Sequence, residues 1–158
     1  MKKFAVLSLF TLLMACSDQT TYPKAKNFEL VDAEANSFQL ANYQGKAVVV
    51  IFWATWCPYC AKIMPKLEYY YQKNKQQGLE IIAVNIHEDG DPISHMKQKG
   101  FHYRLGLNGD SVAEQWQVSG TPTLVFINRA GEIVGRNHIS DPESKVIEEL
   151  IDEILNDQ

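Results

Sequence analysis

The residues best suited to chemistry in this 158-residue chain are two cysteines three positions apart, Cys57 and Cys60, in the segment Trp56-Cys57-Pro58-Tyr59-Cys60. A continuous β-branched and aromatic run, 47–53, precedes them, and the pattern after them predicts a helix from Pro58 to about Gln77, with Gly78 as its stop. With Cys57 as N-cap and Pro58 as the first helical residue, the missing proline N–H falls where no intrahelical partner would exist. The N–H groups of Tyr59 and Cys60 can then point at the Cys57 sulfur and, with the helix dipole, favour thiolate over thiol. An exposed Cys57 thiolate would attack a disulfide, and Cys60, one turn away, would resolve the mixed disulfide. Other readings of the pair exist. A structural disulfide across so short a loop stabilises little. A zinc site wants further Cys or His at ligand spacing, and the sequence has none. Two inert buried thiols are the third. Placement at a strand-to-helix junction behind a Trp favours redox chemistry, with no cofactor and no metal.

Positioning the pair takes a buried framework. Residues 47–53 suit a central strand covered on both faces, and 79–86 a second one. Ahead of them, 28–31 and 38–40 read as short strands around a turn at 33–36. Residues 91–99 read as a helix ended by Gly100, 101–107 as holding a short strand, and 111–117 as a short helix. Residues 123–128 and 132–138 pair as a hairpin through Arg129-Ala130-Gly131. A last helix starts at a Ser140 or Asp141 cap with Pro142 in its first turn. Its apolar stripe would be Val146, Ile147, Leu150, Ile151 and Ile154. The order predicts an α/β fold, a mixed central sheet with helices on both faces, extended by an N-terminal β element.

Composition narrows the function. Hydrophobic residues are 46% of the chain, enough for one packed core, and the formal net charge is -4. There is no basic tract, so nucleic-acid binding has no electrostatic support, and no Gly-rich phosphate loop. Lys2 and Lys3 followed by the apolar stretch 4–15 read as a signal peptide rather than a membrane span. The stretch ends Leu13-Met14-Ala15-Cys16, which resembles the bacterial lipobox, so Cys16 is expected to carry lipid as the first mature residue. The expected organisation is a signal peptide at 1–15, a polar tether at 16–26 and one domain at 27–158. Cleavage would leave 13 basic against 19 acidic residues, a charge of -6. Only Cys57 and Cys60 would then remain as redox-active sulfur.

Phe52-Trp53-Ala54-Thr55-Trp56-Cys57-Pro58-Tyr59-Cys60, with Pro65 beyond it, resembles the thioredoxin active-site segment. Gly45-Lys46, the Asn85 strand, the inserted segment 91–107 and Gly120-Thr121-Pro122-Thr123 are similar to the TlpA/ResA/DsbE-type branch of extracytoplasmic thioredoxins. The resemblance implies a thioredoxin fold and a thiol–disulfide oxidoreductase. Its partners would be exported proteins with cysteines and a membrane thiol donor or acceptor, and the protein a monomer facing the periplasm in a Gram-negative host. It also implies that Pro122 is the cis-proline opposite the sulfurs and that the Thr121 backbone pairs with substrate. The Thr121 hydroxyl would reach the Cys57 sulfur, and Trp56, Pro58 and Tyr59 would shape the partner surface and redox poise. Where thioredoxin has a buried Asp and a Lys this chain has Ile51 and Ala83. Where many relatives of this branch have a Glu three residues past the second cysteine it has Ile63. Those acids help to move the Cys60 proton, and Glu88 or a water is the substitute to examine. His87, His95, His102 and His138 are scattered and read as surface or satisfied-core residues. No P-x-x-x-T-x-x-C pattern precedes Cys57, which argues against a peroxiredoxin. An oxidase or isomerase using the same pair, and a Cu(I)-handling thiol protein, are the alternatives.

Overall fold

A computed structural model describes residues 21–157; the expected signal and Cys16 lie outside them. Among the described residues, seven strands and four α-helices follow one another: β1 (Glu29–Val31), β2 (Ser37–Gln39), β3 (Ala47–Trp53), α1 (Pro58–Asn74), β4 (Leu79–Asn85), α2 (Pro92–Lys99), β5 (Arg104–Gly106), α3 (Asp110–Gln115), β6 (Thr123–Ile127), β7 (Ile133–Asn137) and α4 (Lys145–Asn156). The main sheet runs β5-β4-β3-β6-β7, and β1 and β2 form a separate antiparallel pair. β3 is parallel to β4 and antiparallel to β6, so the sheet is mixed as expected.

Every residue of β3 is buried, which is why its sequence shows no polar alternation. Its odd-numbered side chains, Ala47 to Trp53, pack with Ile63, Met64 and Leu67 of α1 and with Ile147, Ile151 and Ile154 of α4. The even-numbered Val48, Val50 and Phe52 pack on the other face against Leu30, Phe38 and Trp116. The N-terminal hairpin and α3 therefore cover the face opposite α1 and α4.

Two helix stops follow from glycine. Gly78 ends a single 3-10 turn after α1 at φ 90°, and Gly100 ends α2 at φ 69°, left-handed values that only glycine adopts without cost. The last helix begins later than its sequence suggests. The Asp141 side chain accepts the Glu143 N–H at 3.0 Å, and its carbonyl accepts the Ser144 N–H at 3.2 Å. Asp141-Pro142 thus closes a turn, and Ser144 becomes the N-cap. Val146, expected in the apolar stripe, is 39% exposed, whereas Ile147, Ile151 and Ile154 are fully buried. Residues 22–26, read as the end of the tether, already run against the domain. The Ile133 N–H donates to the Pro23 carbonyl at 2.8 Å, and Tyr22 Oη donates to Glu153 at 2.9 Å.

Candidate active site

β3 delivers the chain to the site and α1 receives it. Between them, the Cys57 N–H donates to the Ala54 carbonyl at 3.2 Å, which tightens the turn into the helix. Cys57 is the N-cap, Pro58 opens α1, and the Cys60 N–H donates to Cys57 Sγ at 3.1 Å. The Tyr59 N–H, expected to join it, makes no such bond. Cys57 and Cys60 are joined as a disulfide with Cα atoms 5.2 Å apart, so the structure is the oxidised form. The expected exposed sulfur is not found in this state: Cys57 is 3% and Cys60 1% exposed, both within the core cluster.

Two segments surround the pair at the same end of the sheet. One is the Thr121-Pro122 turn, whose peptide bond is cis. It leads into Thr123, paired in register with Phe52 of β3, which sets the turn beside the loop carrying the cysteines. The Thr121 hydroxyl makes no hydrogen bond to the Cys57 sulfur, contrary to expectation. The neighbouring Thr123 Oγ1 instead donates to the Gly120 carbonyl at 2.6 Å. His138 Nδ1 lies 3.1 Å from Thr123 Oγ1 and 3.2 Å from the Pro122 carbonyl oxygen. With the Thr123 proton spent on Gly120, both contacts require His138 to donate from Nδ1. A histidine read as incidental thus clamps the cis-proline turn.

The second segment follows β4. Glu88 accepts from the Thr55 N–H at 2.9 Å and the Thr55 hydroxyl at 2.5 Å. It also accepts from Asn85 Nδ2 at 2.6 Å and the Gly90 N–H at 2.9 Å. Burial pushes this carboxyl up, but the hydrogen bonds from Thr55, Asn85 and Gly90 outweigh it and hold the group at about 2. Glu88 is therefore a fixed anion that pins Thr55, two residues before Cys57, and it is a poor carrier for the Cys60 proton.

The same loop carries His87, at a positive φ of 50°, anchored through its N–H and Nδ1 to Asp110 Oδ1, each at 2.9 Å. Its carbonyl accepts the Trp56 indole N–H at 2.8 Å. That bond orients a ring 53% exposed, so Trp56 is not core; Tyr59 is 51% exposed beside it. Nothing in residue type signals a backbone acceptor of this kind. Beneath the disulfide the floor is apolar. Ile51 pairs in register with Ala83 and with Leu124, and Ile51, Ala83 and Ile63 are fully buried. No cluster of three metal-ligating side chains occurs among the described residues. A concavity of about 650 Å³, lined by Tyr43, Tyr71, Phe101 and Tyr103 among others, does not include the sulfurs.

The comparisons agree with this geometry. The model of the AhpC/TSA family matches residues 22–136. The thiol–disulfide oxidoreductase ResA of Halalkalibacterium halodurans is 35% identical over 131 residues, covering 82% of this chain and 74% of that protein. ResA of Bacillus subtilis is 37% identical over 112 residues, covering 70% of this chain and 63% of that protein, somewhat under two thirds of its length. A Chlorobium tepidum structure described as a DsbE-type thiol:disulfide interchange protein superposes with a TM-score of 0.76 at 26% identity, covering 85% of this chain and 97% of that one. The fold, the disulfide at the helix start and these relatives together place the chain in the AhpC/TSA family, as a thiol–disulfide oxidoreductase of the thioredoxin-like ResA/DsbE type.

Proposed function

We propose that this protein is an exported, membrane-tethered reductase of disulfides in other exported proteins, cycling through Cys57 and Cys60. The observation that carries the reading is the Cys57–Cys60 disulfide at the N-cap of α1, next to a cis-proline turn, in a chain of this family. Reduced, Cys57 attacks one sulfur of a client disulfide as a thiolate, and the other client sulfur leaves as a thiolate. Cys60, deprotonated, then attacks Cys57, releasing the second client sulfur. The client gains two electrons and the pair returns to the disulfide, to be re-reduced by a membrane thiol donor. Trp56, Pro58 and Tyr59 form the partner face, and the Thr121 backbone, held by the Pro122 turn, pairs with the client. Apocytochrome c is one candidate client. The signal at 1–15 and lipid on Cys16 supply export and anchoring.

Trapping tests the reading. Cys60→Ser is expected to accumulate Cys57 mixed disulfides with client proteins, and an absence of any adduct with Cys57 intact and reactive would overturn it. A reduction potential fixes the direction: a value close to about -270 mV supports a reductase, whereas one close to about -120 mV supports the oxidase. Tight stoichiometric Cu(I) binding without disulfide reduction would instead favour the copper reading. Mass spectrometry of the membrane-bound protein reads Cys16 lipidation directly.

A further inference from the structure

Three of the large exposed apolar side chains are Trp56, Tyr59 and Tyr69, at 53%, 51% and 56%. Trp56 precedes the attacking sulfur, and the two tyrosines lie on the outer face of α1. Residues 59, 62, 66, 69 and 73 share helical spacing, so Tyr59, Lys62, Lys66, Tyr69 and Lys73 form one strip running away from Cys57. Lys62 sits over the Tyr59 ring at 5.5 Å, and Lys66 over Tyr69 at 5.9 Å and Tyr70 at 5.7 Å. None of the three lysines is in an ion pair among the described residues. Glu68, the acid of this helix, is turned away: it accepts from the His102 N–H at 2.8 Å and from Gln72 at 2.6 Å. In a chain of net charge -4, an unpaired cationic and aromatic strip that begins at the redox pair is a local inversion of the surface.

We infer that this strip docks the acidic flank of the client polypeptide whose cysteine meets Cys57; the inference rests on the thiol–disulfide reading and names the partner chemistry of that site. Aromatic rings with cations beside them suit a segment that alternates apolar and carboxylate side chains. The helix rise puts Lys62 and Lys66 about 7 and about 13 Å along the axis from Cys57. An extended client covers that span in roughly two to four residues. The preferred client therefore carries Asp or Glu two to four residues from its reactive cysteine, on the side lying along α1. The net negative charge repels such a client at long range, so the attraction is short-ranged and screened by salt.

The test uses the full chain, reduced, against three disulfide-bearing peptides that differ only in two Asp, two Asn or two Lys at those offsets, each made with the charges on either side. In each reaction the protein pair loses two electrons and becomes the disulfide while the peptide disulfide becomes two thiols. The uncharged hydroxyethyl disulfide is the reference. The expected Asp-to-Lys ratio of second-order rate constants for oxidation of the reduced pair is roughly three- to tenfold at low salt for one flank, and it falls towards one in about 0.5 M salt. In Lys62→Glu/Lys66→Glu the ratio inverts. Ratios are read, so a variant that is merely damaged lowers all rates together and keeps its preference. Equal rate constants for all peptides while hydroxyethyl disulfide is reduced, or a preference that survives the double substitution, overturns the docking strip alone. Failure to reduce hydroxyethyl disulfide overturns the oxidoreductase reading and the strip with it.

Discussion

Replacing Glu88 by Gln removes one negative charge and one acceptor from the group that pins Thr55. Whichever way the amide sits, its NH2 meets a backbone donor, the Thr55 N–H in the Oε2 place or the Gly90 N–H in the Oε1 place, and that donor loses its acceptor. The carboxyl is held at about 2 against an ordinary 4.5, and 2.5 pH units correspond to a ceiling of about 3.4 kcal/mol at neutral pH. Glu88 is only partly buried, and solvent screening brings the expected loss to about 1–2 kcal/mol. The folded state depresses this group, so its contribution is complete above pH 4.5 and is lost as pH falls towards 2. Urea unfolding of the wild type and Glu88→Gln measures it. The gap in stability should be full at pH 7 and shrink by roughly half at pH 3. Glu29, Asp32, Glu68, Asp91 and Glu132 are also depressed, so the wild-type slope alone assigns nothing, whereas the difference isolates Glu88. A gap that is the same at both pH values would refute the reasoning.

Other outcomes follow from the same contacts. His138→Ala should raise KM for a protein disulfide about two- to tenfold, the worth of one hydrogen bond on the cis-proline turn. His138→Asn, which keeps a donor near Nδ1, should recover most of it; an unchanged KM would remove His138 from the site. Trp56→Ala should cost no more than about 1 kcal/mol of stability, since the ring is half exposed, yet weaken client binding by tenfold or more. A large fall in Tm with unchanged client binding would contradict this. Ile151→Ala should cost about 2–5 kcal/mol in urea unfolding and Val146→Ala no more than about 0.5 kcal/mol; equal losses would mean that α4 presents a different face to the sheet. In single-turnover reduction of a protein disulfide, the resolving phase should quicken as pH rises, because only the Cys60 thiolate attacks. A resolving phase insensitive to pH would contradict that requirement.

What was legible in the sequence was whatever local periodicity or spacing encodes. β3 declares itself by seven consecutive apolar residues, and α1 by its Pro58 start and Gly78 stop. The redox pair declares itself by its place between them. The start of α4 was misplaced because Asp followed by Pro marks a turn and a helix N-terminus alike, and only the closed Asp141–Ser144 turn decides between them. The supports of the site were not legible, because they join distant segments through groups without a signature. Trp56 is held by a backbone carbonyl 31 residues away, and Thr55 by a carboxylate 33 residues away. His138 reaches the Pro122 carbonyl across the β6–β7 hairpin. Resemblance suggested the cis-proline turn but not the imidazole that fixes it.

The placement of charge around the pair bears on how its two half-reactions differ. Cys57 Sγ has the Cys60 N–H at 3.1 Å and the positive end of α1 behind it, so negative charge on that sulfur is met in place. Cys60 shares a buried cluster with Ile51, Ala83 and Ile63, and no carboxylate hydrogen-bonds it among the described residues. Glu88 cannot take the Cys60 proton from where it lies: it stays ionised down to about pH 2, and its oxygens are occupied by Thr55, Asn85 and Gly90. A base that weak has little tendency to accept a thiol proton near neutrality. The client itself offers a better acceptor, because its first sulfur leaves as a thiolate in the attack on Cys57. In the proposed cycle attack is therefore favoured over resolution, which prolongs the mixed disulfide that Trp56, Tyr59 and the cis-proline turn are proposed to hold. In such a site, discrimination between clients falls on the surface that holds the complex rather than on the sulfurs that form it.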